Sequence, residues 1–152
     1  MIIGIGGASR SGKTSLALSI QKNLEDQGQT SIVISQDTYI FDEKDIPKVR
    51  NRIDWEHPES IDFEGFKDAI LRARSTFSHV IAEGLFCFYD RDIVNLFDKK
   101  YFIYISKDTF LKRKSEDTRW GFEPAWYIEH IWKSYLKYGR NILENPHNLT
   151  IL

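Results

Sequence analysis

The sequence predicts an α/β domain with a mostly parallel sheet, and three observations carry that prediction. Short β-branched runs alternate with stretches of helical apolar period along the whole chain. A glycine-rich turn joins the first run to the first helical stretch. Neither a repeat nor a Pro/Gly-rich linker interrupts the 152 residues, so 1–152 reads as a single domain.

Each element follows in turn. Residues 1–5 form a short buried strand running into Gly4, Gly6 and Gly7. Leu16, Ala17, Ile20 and Leu24 recur at helical spacing within 13–27, and Gly28 is placed to cap that helix. Residues 31–35 are β-branched and make the second strand. A polar loop over 36–60 carries Pro47 and Pro58. Phe63, Phe66, Ile70, Ala73 and Phe77 mark the next helix, and 80–82 the third strand. A short helix over 90–97, a strand over 101–105 and a helix over 109–116 follow. Ile128, Ile131, Trp132, Tyr135 and Leu136 stripe the last helix, with Trp126, Trp132 and Tyr135 read as core packing, and 149–152 forms the fifth strand. Alternation of this kind builds parallel sheets, in which ligands gather beyond the carboxyl ends of the strands.

Charge and cysteine usage exclude several classes. With 21 basic and 22 acidic residues the net charge is -1, which offers no long-range field for a nucleic acid. The single cysteine, Cys87, lies in an apolar run and reads as a buried, inert thiol rather than a metal ligand. The first residues are apolar but lack a basic leader and break at once into glycines, so neither a signal peptide nor a membrane span is expected. A cytoplasmic protein, monomeric or homodimeric, is the expectation.

The decisive motif runs from Gly7 to Thr14 as a complete G-x-x-x-x-G-K-[ST]. Its glycines let successive N–H groups converge on phosphate oxygens, and the helix that follows adds its positive end. The phosphate-binding set is Gly7, Ser9, Arg10, Ser11, Gly12, Lys13, Thr14 and Ser15. Lys13 reaches the outer phosphates of ATP and the Thr14 hydroxyl serves a Mg²⁺ ion. Chance supplies roughly 0.005 such matches in a chain of this length. The dinucleotide fingerprint fails here for want of its third glycine.

A phosphate loop fits a GTPase or motor ATPase as well as a kinase, and the acids after the other strands discriminate. Asp37 follows the second strand and Glu83 the third, so a parallel sheet lifts both beside the loop. Asp37 is assigned to the acceptor hydroxyl and Glu83 to the metal. Taken alone, Asp37 reads more readily as a turn cap and Glu83 as a solvated loop acid; their joint placement beside the phosphate loop reverses that preference.

The phosphate loop, the stretch Gln36-Asp37-Thr38-Tyr39, the segment from Asp54 to Asp62 and Glu83-Gly84 together resemble the uridine kinase and nicotinamide riboside kinase family. The resemblance implies a three-layer P-loop kinase fold with a five-stranded mostly parallel sheet, flanking helices and a small lid over about 113–124. It implies a nucleoside acceptor contacted by Asp37, Tyr39, Trp55 and Glu56, with the indole stacking on the base. Lid arginines Arg113 and Arg119 would close on the phosphates, making Lys13, Asp37 and Arg119 the catalytic set. Thr38 departs from the pattern, standing where many members carry a second acid. Two rival readings stay open: a kinase of another small alcohol such as a sugar, and a nucleotide-binding module without an acceptor.

Overall fold

All five expected strands pair in parallel in a computed structural model that describes residues 1–119, 121–144 and 146–152. The strands are β1 (Ile2–Gly7), β2 (Ser31–Ser35), the short β3 (Lys48–Val49) and β4 (Arg52–Ile53), β5 (His79–Glu83), β6 (Lys99–Ile103) and β7 (Leu149–Ile151). The helices are α1 (Lys13–Asp26), α2 (Phe63–Arg74), α3 (Arg91–Val94), α4 (Lys107–Ser115) and α5 (Ala125–Ser134). The main sheet has the order β2-β5-β1-β6-β7, while β3 and β4 form a separate antiparallel pair.

Alternation along the central strands sorts the core into two faces. Ile3, Ile5 and Ile81 meet Ala17, Leu16, Ile20 and Leu24 of α1. On the other face Ile2, Val80 and Phe102 join Phe66 and Ile70 of α2 and Ile131 and Trp132 of α5. A Cβ on Gly6 would stand 2.6 Å from the Phe88 ring, so this position is small because an aromatic ring lies directly on the strand.

Several boundaries move from their expected places, each for a local reason. β1 extends through Gly7, because parallel pairing with β6 continues to the Gly7–Ile103 pair. The Asp98 carboxylate accepts from Ile2 N–H at 2.7 Å, and β6 begins at Lys99, leaving Tyr104 and Ile105 beyond the strand. The helix expected over 90–97 is the single turn α3, whose N-cap Asp90 accepts from Ile93 N–H. The loop over 36–60 is not wholly irregular, since it holds the β3–β4 hairpin and 3₁₀ turns at Gln36–Thr38, Glu43–Asp45 and Pro58–Ser60. α5 passes into a π-helical turn at Tyr135–Gly139. Trp132 and Tyr135 are buried as expected, whereas Trp126 is only partly buried and carries the Arg50 guanidinium over its ring at 4.2 Å. Trp120, inside the stretch expected to act as a lid, lies outside the described residues.

Register decides what reaches the site. Ser35 and Ile5 both pair with Glu83, so β2, β1 and β5 end level with one another. The loops leaving these strands therefore share one edge of the sheet.

Candidate active site

The phosphate loop is open where an anion would sit. Gly7 has φ +147°, and a Cβ there would lie 2.6 Å from the Ile103 carbonyl oxygen and 2.9 Å from Ser11 Oγ. Gly12, at φ +102°, starts α1 with no side-chain cap, so the first-turn N–H groups of that helix stay available. Ser11 Oγ is buried without a hydrogen-bond partner. Ser9 is half-buried and Ser15 is exposed on the first turn of α1. These unspent donors and the glycine-only cradle fit a nucleotide's phosphates.

Lys13 is drawn inward, donating from Nζ to the Ala8 carbonyl at 2.8 Å. Burial lowers its pKa from the ordinary lysine value, and the carboxylates of Glu83, Asp37 and Glu56, in that order, pull it back up. One ammonium thus sits among three acids from three different segments. Thr14 Oγ1 donates to Glu83 Oε1 at 3.2 Å, and Glu83 is only 2% exposed. A hydroxyl and a buried carboxylate in contact suit Mg²⁺, which takes few protein ligands and keeps waters and phosphate oxygens for the rest.

Gln36 sets the height of Asp37. Its buried amide oxygen accepts from Phe86 N–H at 2.9 Å, tying the end of β2 to the turn after β5. Asp37 then stands exposed in the following 3₁₀ turn, on the same edge as Lys13.

The wall opposite the phosphate loop comes from the 54–62 segment, α4, α5 and the connection between those helices. Glu56 Oε2 is buried with no hydrogen-bond partner. Burial raises the Glu56 pKa to about 7, Asp54 and Asp37 push the same way, and Lys114 and Lys13 oppose them. Asp54, itself buried, accepts from Glu56 N–H at 3.2 Å and pairs with His130 Nε2 at 2.8 Å. Lys114 and Glu123 form a buried ion pair at 2.7 Å. Trp55 is exposed at the rim, its carbonyl accepting from Ser60 Oγ. Tyr39 goes elsewhere: its ring lies on Phe66 at 5.6 Å and lines a groove beside β2 with Leu18 and Ala69.

Of the two candidate lid arginines, one reaches the loop and the other is held by a neighbouring acid. Arg113 Nη1 donates to the carbonyls of Arg10 at 2.9 Å and Ser11 at 3.4 Å. Arg119 is gripped by Asp117 through Nε and Nη2, both at 2.8 Å, and Asp37 is among the charges acting on it.

The chain is 28% identical over 158 aligned residues to human nicotinamide riboside kinase 1, covering 93% of this chain and 77% of that one. It is 26% identical to the uridine kinase of Leuconostoc citreum, covering 77% of this chain and 68% of the other. The chain is a homologue of these kinases. No family model matches it. Among solved structures, one provisionally assigned as a fructose transport system kinase from Silicibacter sp. superposes with a TM-score of 0.69. That likeness covers 100% of this chain and 89% of the other at 19% identity, which establishes the P-loop kinase fold and no more. The two kinase homologues make the chain a nucleoside kinase-like phosphotransferase with a small-molecule acceptor. No described helix is long and apolar enough to cross a membrane.

The structure brings further residues to the site beyond the candidate set. His130, Lys114, Asp117, Glu123 and Tyr127 all sit in the acceptor wall or the stretch leading to it. Burial raises the Tyr127 phenol pKa, with Glu56 and Asp54 adding to it, and the hydroxyl donates to the Ile53 carbonyl. A basic run followed by an acid two to four positions on was the visible signal for Asp117. His130 gave none, because its partner Asp54 is 76 positions away. Cys87 is buried, as read from the sequence, and burial pushes its thiol pKa up.

Proposed function

We propose that this protein transfers the γ-phosphoryl group of ATP to the 5′-hydroxyl of a nucleoside, nicotinamide riboside or a pyrimidine nucleoside. The observation that carries this reading is the unpartnered, buried Glu56 Oε2 beside Lys13 and Asp37. A buried acceptor left empty costs about 1–3 kcal/mol, and a ribose hydroxyl is the donor that relieves it. The naming of two relatives as nucleoside kinases supports the same choice.

ATP supplies the activated phosphoryl group; Thr14 and Glu83 would hold a Mg²⁺ ion, which would supply charge neutralisation at the phosphates. Ser9, Arg10, Ser11 and the glycine backbone, with Ser15 on the first turn, hold the phosphates. Asp37 accepts the proton from the acceptor hydroxyl as that oxygen bonds to the γ-phosphorus and the bond to the bridging oxygen of ADP breaks. Lys13 and Arg119 face the charge that builds on the transferred group. Arg113 holds the loop carbonyls, and the 113–124 stretch acts as the lid that excludes water. Trp55 offers its exposed face to the base. Tyr39 packs on Phe66 of α2 in the groove beside β2.

A second reading, phosphorylation of a sugar, draws on the fructose-linked structural neighbour. One assay separates them: ADP release with MgATP alone, then with nicotinamide riboside, uridine, cytidine, fructose or gluconate. Release stimulated by one nucleoside is the expected result. Stimulation by a sugar alone moves the acceptor class, and ATP binding without any stimulation reduces the protein to a nucleotide-binding module.

A further inference from the structure

The most connected charge cluster outside the assigned roles centres on Asp117. Its side chain is 2% exposed, in the connection between α4 and α5. Oδ1 accepts from Arg119 Nε at 2.8 Å and from Arg119 N–H at 3.2 Å, and Oδ2 accepts from Arg119 Nη2 at 2.8 Å. Arg10 Nε, from the phosphate loop, lies 3.6 Å from Oδ2 and is itself buried without a hydrogen-bond partner. One carboxylate therefore touches a cation of the lid stretch and a cation of the loop.

Several physical points make this more than a surface pair. A buried carboxylate is tolerated only when its cations are held in good geometry, so this pair persists while exposed ones exchange with water. A bidentate grip through Nε and Nη2 fixes the plane of the guanidinium and leaves its outer edge unspent. The Arg119 side chain remains 60% exposed, and Asp37 and Glu123 are among the charges acting on it. The second grip, through Arg10, acts on a residue at φ +61°, a left-handed position that a non-glycine residue keeps only when its surroundings hold it. Arg113 holds the same residue by its carbonyl.

We infer that Asp117 is a positioning residue for the transfer step, holding Arg119 of the lid and Arg10 of the phosphate loop in one arrangement so that both face the transferred phosphoryl group. This rests on the reading of Arg119 as the lid arginine. Asp117 touches no reacting atom; it acts by presenting guanidinium groups that would otherwise sample many rotamers.

The test uses the ADP–aluminium fluoride complex, which mimics the transferred group and needs no acceptor. Calorimetry would compare its affinity with that of ADP alone in wild type, Asp117→Asn, Arg119→Ala and the double variant. Asp117→Asn and Arg119→Ala should each weaken the mimic by about tenfold or more and leave ADP within about threefold. The double variant should be no weaker than Arg119→Ala, because both changes remove one interaction. Asp117→Glu, which keeps the charge, should recover part of the loss, and millimolar guanidinium should restore Arg119→Ala only where Asp117 is present. Unchanged affinity for the mimic in Asp117→Asn overturns the proposal. So does an equal loss for ADP alone, or a double variant that adds both losses, since either marks a merely structural role. Wild-type affinity in Arg119→Ala removes the arginine's role and this inference together, while the kinase reading itself is decided separately by acceptor-stimulated ADP release in the wild type. Failure of wild type to bind ADP at all would sink the kinase reading instead.

Discussion

The two sides of this site are assembled differently. From Gly7 to Thr14 the phosphate side draws on one short stretch, and its shape follows from positive φ at Gly7 and Gly12 and from the open end of α1. On the acceptor side Asp54 meets His130 across 76 positions, and the Tyr127 hydroxyl reaches the Ile53 carbonyl across 74. Backbone geometry makes the first, and burial of charge makes the second. A backbone cradle tolerates change in its side chains, whereas a wall of buried charges loses function when one member is removed. Phosphate binding should therefore be robust, and acceptor choice should be the property that single substitutions alter.

The largest effect should come where the two sides meet. Asp37→Asn should lower kcat by about 10²–10⁴-fold with the ATP KM near wild type, since it removes a proton acceptor and leaves the loop intact. Steady-state kinetics with the accepted nucleoside reads both constants. A wild-type kcat would break the division, because the exposed acid would then serve neither side.

Glu56→Gln should act on the acceptor side alone, raising the acceptor KM by about tenfold or more while sparing ATP. It should also stabilise the fold, in a direction fixed by the pKa. Below about pH 4.5 Glu56 is protonated in folded and unfolded chains alike. Between that pH and about 7 the folded protein keeps a proton that the unfolded chain has released, so stability falls as pH rises and the loss is complete above 7. Urea unfolding at pH 8 should find the variant more stable by roughly 1–3 kcal/mol, with the two proteins alike at pH 4. Equal stability at pH 8 would mean that the carboxylate is not buried at a cost. By the same titration the wild-type acceptor KM should fall between pH 6 and 8, as the charged form that best accepts hydroxyl hydrogen bonds becomes populated.

The smallest effect belongs to the rim. Trp55→Ala should raise the nucleoside KM by about 2- to 12-fold, the equivalent of one aromatic contact, with ATP unaffected. An unchanged acceptor KM would move base recognition from Trp55 to the rings of α5.

Most of the architecture was readable in advance because its causes are local. The β-branched run at 31–35, the Leu16–Leu24 stripe and the apolar run at 80–82 each carry their own period, and their alternation implies a parallel sheet. Boundaries slipped where a distant partner decided them, as with Asp98 bonding the start of β1 and so fixing where β6 begins. Lys13, Thr14, Glu83 and Asp37 were legible because motif and strand ends place them. Tyr39 shows the limit: nearness to Asp37 in sequence did not reveal that its ring packs on Phe66 of α2, a contact set by tertiary packing.

By itself, then, the sequence determined a phosphate loop between a strand and a helix, two acids at neighbouring strand ends, and kinship with small-molecule kinases. Those features depend on glycine conformations, periodicity and spacing, all written within short stretches. Only the tertiary structure decided which carboxylate is left buried and unpaired, which acid grips Arg119 and Arg10, and where His130 and Lys114 find partners. The physical reason is desolvation. The state and orientation of a charged side chain are set by what the folded chain packs around it, and those neighbours come from segments that share no local pattern.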